Sequence, residues 1–193
     1  MLIGVLALQG AFREHQEMLA SLGVESRQVR KPEQLEGIDG LIIPGGESTT
    51  MGKLLQDYHL FEPIRQMALQ GMPVFGTCAG LILLAREISG SSQPRLGLMD
   101  ITVVRNAFGR QVESFEADLS VPVLGGEPLR AVFIRAPYIV STGPEVEVLA
   151  RYGDKIVLAR QGRFIGCAFH PELTDDTRLH HLFLEQCGLK KAD

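Results

Sequence analysis

The chain has 193 residues, of which 45% are hydrophobic and 22% are charged, and its net charge is -4. This length and composition are typical of one globular domain, here residues 1–193, and they exclude collagen, coiled coils and wholesale disorder. Trp is absent, only 6% of the residues are aromatic and no run of Lys and Arg occurs, so a nucleic-acid-binding protein is disfavoured.

The first half of the chain alternates apolar runs, typical of buried strands, with amphipathic stretches, typical of helices. The predicted strands cover residues 3–8, 26–30, 40–44 and 72–76. The predicted helices cover residues 11–22, 48–55, 61–70 and 79–87. This alternation predicts an α/β fold, a doubly wound, mostly parallel sheet with helices on both faces. Ligands of such sheets bind at the carboxyl ends of the strands.

The second half has a different pattern, in which short strands and turns follow a polar loop over residues 89–97. The pattern predicts an antiparallel section added to the parallel sheet. The predicted strands cover residues 101–105, 113–121, 131–135, 146–151, 156–160 and 164–169, and the last helix covers residues 175–186. We find no internal repeat and no linker that would divide the chain.

The cysteines indicate a reducing environment. Cys78, Cys167 and Cys187 have no metal-binding spacing, and free thiols are typical of the cytosol. The apolar start, residues 1–8, is too short for a membrane span and lacks the basic residues of a signal peptide. The sequence therefore predicts a cytoplasmic protein with no metal, no cofactor and no membrane or nucleic-acid partner.

The sharpest chemical signal is a G-x-C-x-G motif, residues 76–80, between a predicted strand and a predicted helix. Flanking glycines allow a tight turn that projects the central side chain, as in a nucleophile elbow. The positive end of the following helix would favour the reactive thiolate of Cys78. A free cysteine is otherwise a small buried hydrophobic residue, which is how we interpret Cys167 and Cys187.

A cysteine nucleophile needs a base, and His170 lies where an apolar strand ends. Pro171 favours an extended His170, and residues two apart on an extended segment face the same side. Glu172 can therefore orient the imidazole, which predicts a Cys-His-Glu triad; the alternative is a strand-end histidine beside a solvated glutamate. We interpret His180 and His181 as surface or partner-facing residues and His15 as structural or interfacial.

Acyl transfer also requires an oxyanion hole. The candidate donors are the backbone N–H of Ala79, at the start of the helix, and an N–H of Gly45 or Gly46, at the end of a neighbouring strand. The segment over residues 46–53 superficially resembles a phosphate-binding loop. It fails that pattern because the spacing of its glycines is wrong and Leu54 replaces the required Ser or Thr.

With these residues, the chain resembles the class I, triad-type glutamine amidotransferases, and among them the glutaminases of the pyridoxal 5'-phosphate synthase branch. The elbow, the Pro-Gly-Gly turn and the His-Pro-Glu sequence are common to the wider family. Blocks more particular to the branch run through almost the whole chain. They cover residues 8–15, 44–50, 105–111, 114–118, 133–137 and 170–174.

The resemblance implies a role for each matching residue. Cys78 would attack the side-chain amide of L-glutamine, His170 would activate Cys78 and protonate the leaving ammonia, and Glu172 would orient His170. Water would then release L-glutamate. The implied substrate-binding residues are Gly46, Glu47, Ser48, Arg105, Ile134 and Arg135, and a guanidinium suits the carboxylate of glutamine.

The resemblance also implies a partner, a (β/α)8-barrel synthase subunit that uses the ammonia in a hetero-oligomeric complex. Such a glutaminase is expected to be idle until docked. A peptide near Gly45 and Gly46 could be turned the wrong way until the partner corrects the oxyanion hole, because glycine tolerates both orientations. We expect residues 9–15 and 45–52 to form the docking surface.

Two other functions remain open from the residues alone. One is a stand-alone cysteine hydrolase, of the peptidase or deglycase type, on a similar α/β sheet, which would need no partner for activity. The other is a non-enzymatic module that binds an anionic ligand at the strand ends. Ammonia release from glutamine, measured with and without a barrel subunit, distinguishes the first alternative. Selective alkylation of Cys78 over Cys187 distinguishes the second.

Overall fold

The architecture is that of a computed structural model, which describes residues 1–108 and 113–190. Its centre is a ten-stranded sheet flanked by helices, and a separate two-stranded sheet lies beside it. The first half has the predicted alternation. Its strands are β1 (Leu2–Leu6), β2 (Glu25–Val29), β3 (Gly40–Ile43) and β4 (Val74–Thr77). Its helices are α1 (Phe12–Ser21), α2 (Ser48–Asp57), α3 (Phe61–Leu69) and α4 (Ala79–Leu84).

The second half is mostly strands. They are β5 (Ala85–Ile88), β6 (Met99–Val104), β7 (Ser114–Leu119), β8 (Leu129–Ile134), β9 (Tyr138–Thr142), β10 (Glu147–Tyr152), β11 (Lys155–Gln161) and β12 (Phe164–Cys167). The chain ends with α5 (Arg178–Gln186), and short 3-10 turns occur at Pro32–Leu35, Pro122–Leu124 and Pro171–Leu173.

The sheet confirms the predicted fold class. Its order is β2-β1-β3-β4-β12-β11-β9-β6-β5, with β10 paired to β11. The strands from β2 to β12 pair in parallel. From β12 through β11 and β9 to β6 the pairing is antiparallel, and β5 adds to β6 in parallel. The β7–β8 hairpin is not hydrogen-bonded into this sheet but forms the separate two-stranded one.

Two predictions about elements were wrong. The helix predicted over 79–87 ends at Leu84, because the chain becomes extended at Ala85 and continues as β5 against β6. All of α4 is buried, so its apolar run carried no boundary signal, whereas Arg86 and Glu87 are exposed in the strand. No strand was predicted over Tyr138–Thr142, which forms β9 between β11 and β6.

Buried strands set the position of the site. Every residue of β3 and β4 is buried, as expected for strands covered on both faces. In register, Ile43 of β3 pairs with Gly76 of β4, and Gly76 pairs with Gly166 of β12. Because these strands are parallel, their carboxyl ends lie side by side at one edge of the sheet. In the part of the chain that the structure describes, no helix is both long and apolar enough to cross a membrane.

Gly80 lies where α4 closely approaches β3. A Cβ at Gly80 would collide with the carbonyl oxygen of Ile43, a backbone atom that cannot turn away. Helix propensity alone would make Gly80→Ala more stable by about 1 kcal/mol, but overpacking costs about 1–3 kcal/mol, so we expect a lower free energy of unfolding. Urea denaturation measures it.

The control is Gly126→Ala, at an exposed position where a Cβ meets no atom within 4 Å. We expect it to change the free energy of unfolding by less than about 1 kcal/mol. A Gly80→Ala variant as stable as the parent chain would show that the close approach is not a constraint.

Candidate active site

The aligned strand ends surround a cavity of about 480 Å³. The chain leaves β3 through residues 44–47, leaves β4 at Cys78 and leaves β12 towards His170. Every residue predicted for the site except Glu172 lies on the wall of this cavity. These residues are Gly46, Glu47, Ser48, Cys78, Ala79, Arg105, Ile134, Arg135 and His170.

Cys78 occupies a sharp turn between β4 and α4. Its φ of 52° and ψ of −104° are unusual for a residue other than glycine. The backbone holds this conformation through a hydrogen bond from the Cys78 N–H to the carbonyl oxygen of Cys167, at 2.8 Å. Strained residues of this kind cluster at functional sites. The thiol lies 3.8 Å from the carbonyl oxygen of Ile134 at the end of β8.

His170 is paired with Glu172, as predicted, but through a different local structure. The Nδ1 atom of His170 is 2.6 Å from Oε1 of Glu172, and both residues are buried. The extended segment predicted here continues only to His170, because Pro171–Leu173 form a 3-10 turn that brings the carboxylate back to the ring. The backbone N–H of His170 donates to the carbonyl oxygen of Val132 in β8, at 2.8 Å, which fixes the main chain that carries the imidazole.

The charge state of His170 is set by its two neighbours. Burial alone would lower the pKa of His170, but hydrogen bonds with Cys78 and Glu172 and the negative charge of both groups raise that pKa to about 10. The ring is therefore an imidazolium at neutral pH, within hydrogen-bonding reach of the Cys78 sulfur. A cation in this position stabilises a thiolate, the nucleophilic form of cysteine.

Gly45 allows the histidine and the cysteine to share one space. A Cβ at Gly45 would collide with Cε1 of His170 and would lie 3.4 Å from Cβ of Cys78. A side chain there would push the imidazole away from the thiol. The Pro-Gly-Gly turn is therefore a steric requirement of the site.

The N-terminal loop holds the turn after β3. The Ala11 N–H donates to the Gly45 carbonyl oxygen at 2.9 Å, and the Glu47 N–H donates to Oε1 of Gln9 at 2.8 Å. Gly10, with a φ of 94°, lies so close to this turn that a Cβ would collide with the Gly45 oxygen. Because carbonyl and N–H point in opposite directions across a trans peptide, the Gly46 N–H faces away from Ala11.

The Glu47 side chain has a structural role. It caps α2 by accepting hydrogen bonds from the N–H groups of Thr49, at 3.3 Å, and Thr50, at 2.6 Å. Burial would raise the pKa of Glu47, but the hydrogen bonds from Thr50 and Thr49 lower it below its ordinary value. Glu47 therefore meets the cavity as a fixed helix cap. Ser48 follows as a buried first residue of α2.

The two predicted arginines are held differently. Arg105 donates to Oε1 of Gln93, at 2.6 Å, and to the Thr49 hydroxyl, at 3.2 Å, so its guanidinium has a fixed place on the cavity wall. Arg135 is exposed and lies 3.9 Å from the Glu113 carboxylate, so its side chain is only loosely held. Residues 109–111 of the sequence block that begins at Arg105 lie outside the described residues.

Behind His170 and Glu172 lie two buried histidines, of which the sequence analysis misinterpreted His180. His180 is fully buried instead of surface or partner-facing, because α5 turns this residue inward against His15. His15 is also fully buried and lies 3.5 Å from Oε2 of Glu172. A histidine in an amphipathic helix gives no sequence signal that separates these two environments.

Several cavity residues were not singled out from the sequence as site residues. Ile82 lies one turn of α4 beyond Cys78, and Leu173 follows the triad's glutamate in the 3-10 turn, so their places could have been inferred from spacing. Asn106 has a φ of 48°, which only the structure reveals. Among residues 1–108 and 113–190, no group of three or more His, Cys, Asp or Glu side chains could hold a metal ion.

The comparison with known families identifies the chain. The SNO glutamine amidotransferase family matches residues 5–189. This chain belongs to the SNO glutamine amidotransferase family. The match covers both halves of the fold and every residue on the cavity wall.

Curated relatives agree with the SNO assignment. The chain is 72% identical over 187 residues to the pyridoxal 5'-phosphate synthase subunit PdxT of Pelotomaculum thermopropionicum, covering 97% of this chain and 95% of that protein. It is 65% identical over 186 residues to the PdxT of Carboxydothermus hydrogenoformans, covering 96% and 97% of the two chains.

Solved structures have the same fold. A crystal structure of a glutamine amidotransferase superposes with a TM-score of 0.93 at 56% identity and covers 97% of this SNO-family chain and 99% of that chain. The structure of PurLQS from Thermotoga maritima superposes with a TM-score of 0.73 at 17% identity, over 95% and 97% of the two chains, and shows a shared fold alone.

The buried histidines predict a loss of stability in mild acid. Burial lowers the pKa of His180 to about 3, so the folded chain keeps His180 neutral while the unfolded chain protonates it near pH 6.5. The stabilising contribution of a neutral His180 is therefore fully present above pH 6.5 and is lost as the pH falls towards 3. This loss lowers the free energy of unfolding by at most about 1.4 kcal/mol per pH unit. We expect His180→Phe to have a shallower slope between pH 6.5 and 5, measured by urea denaturation.

His170 does not obscure this measurement. Its raised pKa keeps it protonated in the folded chain, and its contribution is the same in the parent chain and in His180→Phe, so it cancels when their slopes are compared. That contribution is present below pH 6.5 and is lost as the pH rises through about 10. Equal slopes in the parent chain and in His180→Phe would contradict a neutral, buried His180.

Proposed function

We propose that this chain, as a single glutaminase domain over residues 1–193, hydrolyses L-glutamine to L-glutamate and ammonia through Cys78, His170 and Glu172. The ammonia supplies a synthase subunit that makes pyridoxal 5'-phosphate. The observation that carries the proposal is the buried His170 ring, bonded to Glu172 on one side and facing the Cys78 thiol in an open cavity on the other. Family membership and the PdxT relatives support the substrate and the pathway.

The first step is acylation. The Cys78 thiolate attacks the side-chain amide carbon of glutamine, and the carbonyl oxygen becomes an oxyanion. The N–H groups of Ala79 and Gly46 are our proposed donors to this oxyanion. Ala79 lies in the first turn of α4, which leaves N–H groups without intrahelical partners. The His170 imidazolium gives its proton to the amide nitrogen, and the C–N bond breaks. Ammonia is released, and Cys78 carries the thioester.

The second step is hydrolysis of the thioester. His170, now neutral, takes a proton from water, and the water oxygen attacks the thioester carbon. The C–S bond breaks, L-glutamate is released and the thiolate–imidazolium pair is restored. Glu172 keeps the ring in the orientation that serves both steps, because it accepts the Nδ1–H throughout.

Two cations are proposed to bind the amino-acid end of the substrate. Arg105 is held in place by Gln93 and Thr49 on the cavity wall, and a fixed guanidinium recognises a carboxylate at little entropic cost. Arg135 and Ile134 flank the cavity from the end of β8, and Gly46, Glu47 and Ser48 form the opposite wall.

We propose that the mouth of the cavity is where a (β/α)8-barrel synthase subunit docks. Ile134 and Leu173 are 38% and 44% exposed there, an apolar surface that a partner would cover. The accessible residues within 9–15 and 45–52 complete the docking surface, whereas His15 and Met51 are fully buried. In this arrangement the Glu47 N–H is occupied by Gln9, so contact with residue 9 could reset the peptides after Gly45 and complete the oxyanion hole.

The nucleophile is tested by substitution. Cys78→Ala in the complex is expected to lower glutamine-dependent ammonia release by about a thousandfold or more, because no other group can form the thioester. Glutamine binding and docking should persist, as the thiol contributes little to either, and added ammonium salt should still support product formation. His170→Asn should behave likewise.

Cys187→Ala is the matched control, since Cys187 lies near the end of the chain away from the cavity wall. It should keep full activity. Loss of ammonia-supported synthesis in the Cys78→Ala complex would mean that Cys78 has a structural role instead.

Dependence on the partner is tested by mixing. Adding the synthase subunit is expected to raise the rate of ammonia release on the order of a hundredfold, the usual value of one oxyanion-hole donor. The assay is glutamate formation by the free chain and by the complex at saturating glutamine. Equal rates would favour a stand-alone cysteine hydrolase.

A further inference from the structure

A chain of buried polar groups extends from the triad into the core. Nδ1 of His15 lies 2.8 Å from Nε2 of His180, and Nε2 of His15 lies 3.1 Å from the Thr77 hydroxyl. His15, Thr77 and His180 are fully buried. Phe75 packs edge-on against both imidazoles, with ring centroids 6.3 and 5.4 Å away, which keeps this space dry.

The triad's carboxylate meets this chain with its second oxygen. Oε1 of Glu172 is bonded to His170, whereas Oε2 is buried without a hydrogen-bond partner in the described part of the chain. The nitrogen facing Oε2 is Nε2 of His15, at 3.5 Å. A buried carboxylate oxygen is costly unless a donor or a cation faces it. Whether Nε2 of His15 carries a proton therefore decides how well the Glu172 carboxylate is stabilised.

The surroundings decide where that proton lies. Burial, followed by the charges of His180 and His170, lowers the pKa of His15 well below its ordinary value, so the ring is neutral and carries one N–H. If Nδ1 held the proton, the Nε2 lone pair would face the Glu172 carboxylate, and His180 would keep an unpaired buried donor at Nδ1.

With the proton on Nε2, both problems disappear. The N–H of His15 then donates to the Thr77 hydroxyl and places its partial positive charge 3.5 Å from Glu172 Oε2, and His180 donates its own Nε2–H to Nδ1 of His15. The atom left unpaired is then Nδ1 of His180, an acceptor. The groups around His15 are accounted for on each packed element: Thr77 from β4, His170 and Glu172 from the strand-end turn, and His180 from α5.

We propose that His15 is a positioning residue of the glutaminase, whose Nε2–H faces the second oxygen of Glu172 and stabilises its charge, and which is itself fixed by His180 and Thr77. The inference rests on the proposed function. Glu172 thereby meets a donor at each oxygen, which opposes its rotation away from His170 when the imidazole changes charge between acylation and hydrolysis. Thr77 ties the same N–H to the residue next to the nucleophile.

The test compares two amides in the complex with the synthase subunit. His15→Gln places an amide nitrogen near the position of Nε2 and keeps a donor towards Glu172, whereas His15→Asn reaches only the Nδ1 side. We expect His15→Asn to lower the kcat for glutamine hydrolysis by about tenfold to a hundredfold, as for other residues that orient a ligand or catalytic group, with KM unchanged. We expect His15→Gln to keep most of the wild-type kcat.

The possible results distinguish the proposed function from the role of His15. A wild-type complex that releases no ammonia overturns the proposed function itself. An active wild type with an equally active His15→Asn, an equal loss in both variants, or a change in KM alone overturns the role of His15. Thermal melting of both variants verifies that they fold.

A second measurement does not depend on the variants. Nitrogen-15 NMR of histidine-labelled wild-type chain reports the tautomer of each buried ring. We expect His15 to be neutral with its proton on Nε2 between pH 6 and 8. A proton on Nδ1, or a charged ring, would overturn the inference even if neither variant folds.

Discussion

The close approach of the Gly45 backbone to the side chains of His170 and Cys78 is the constraint on which the site depends. Parallel pairing brings the ends of β3, β4 and β12 to one edge, about 4.8 Å from strand to strand, but pairing alone does not bring the His170 ring against the turn after β3. Only a residue without a Cβ lets the His170 ring lie against the turn after β3 while it faces Cys78. Gly80 provides the matching approach of α4 to β3, so Gly45 and Gly80 are both needed because a Cβ at either position would collide with a neighbouring residue.

Charge within the site is arranged in two layers. The inner layer carries charge, since His170 is held protonated between a thiol and a carboxylate. The outer layer is neutral, since burial prevents protonation of His15 and His180. A positive outer layer would compete with His170 for the carboxylate. Because the outer layer is neutral, Glu172 stays paired with His170, and the same burial lowers stability in acid.

The sequence predicted the fold class correctly because its signals are local, and the triad, which stays a prediction, rests on signals of the same kind. Apolar strands between amphipathic helices, and a cysteine between glycines at a turn, are visible within a few residues. The wrong boundary of α4 and the missed β9 depend on pairing with β6, which lies far along the chain. The partnership of His15 and His180 was invisible for the same reason, since 165 residues separate them. The contact between Glu172 and His170 was predicted from an extended geometry, which the 3-10 turn replaces.

The β7–β8 hairpin has a consequence for sequence variation. It hydrogen-bonds to His170 and Cys78 through carbonyl oxygens, since Val132 accepts from the His170 N–H and Ile134 accepts from the Cys78 thiol. Main-chain atoms are the same whatever residue supplies them. Side chains that face outward on this hairpin, such as Arg130 in its ion pairs with Glu116 and Asp118, can therefore be exchanged while the catalytic geometry stays in place, provided that the pairing of the two strands is preserved.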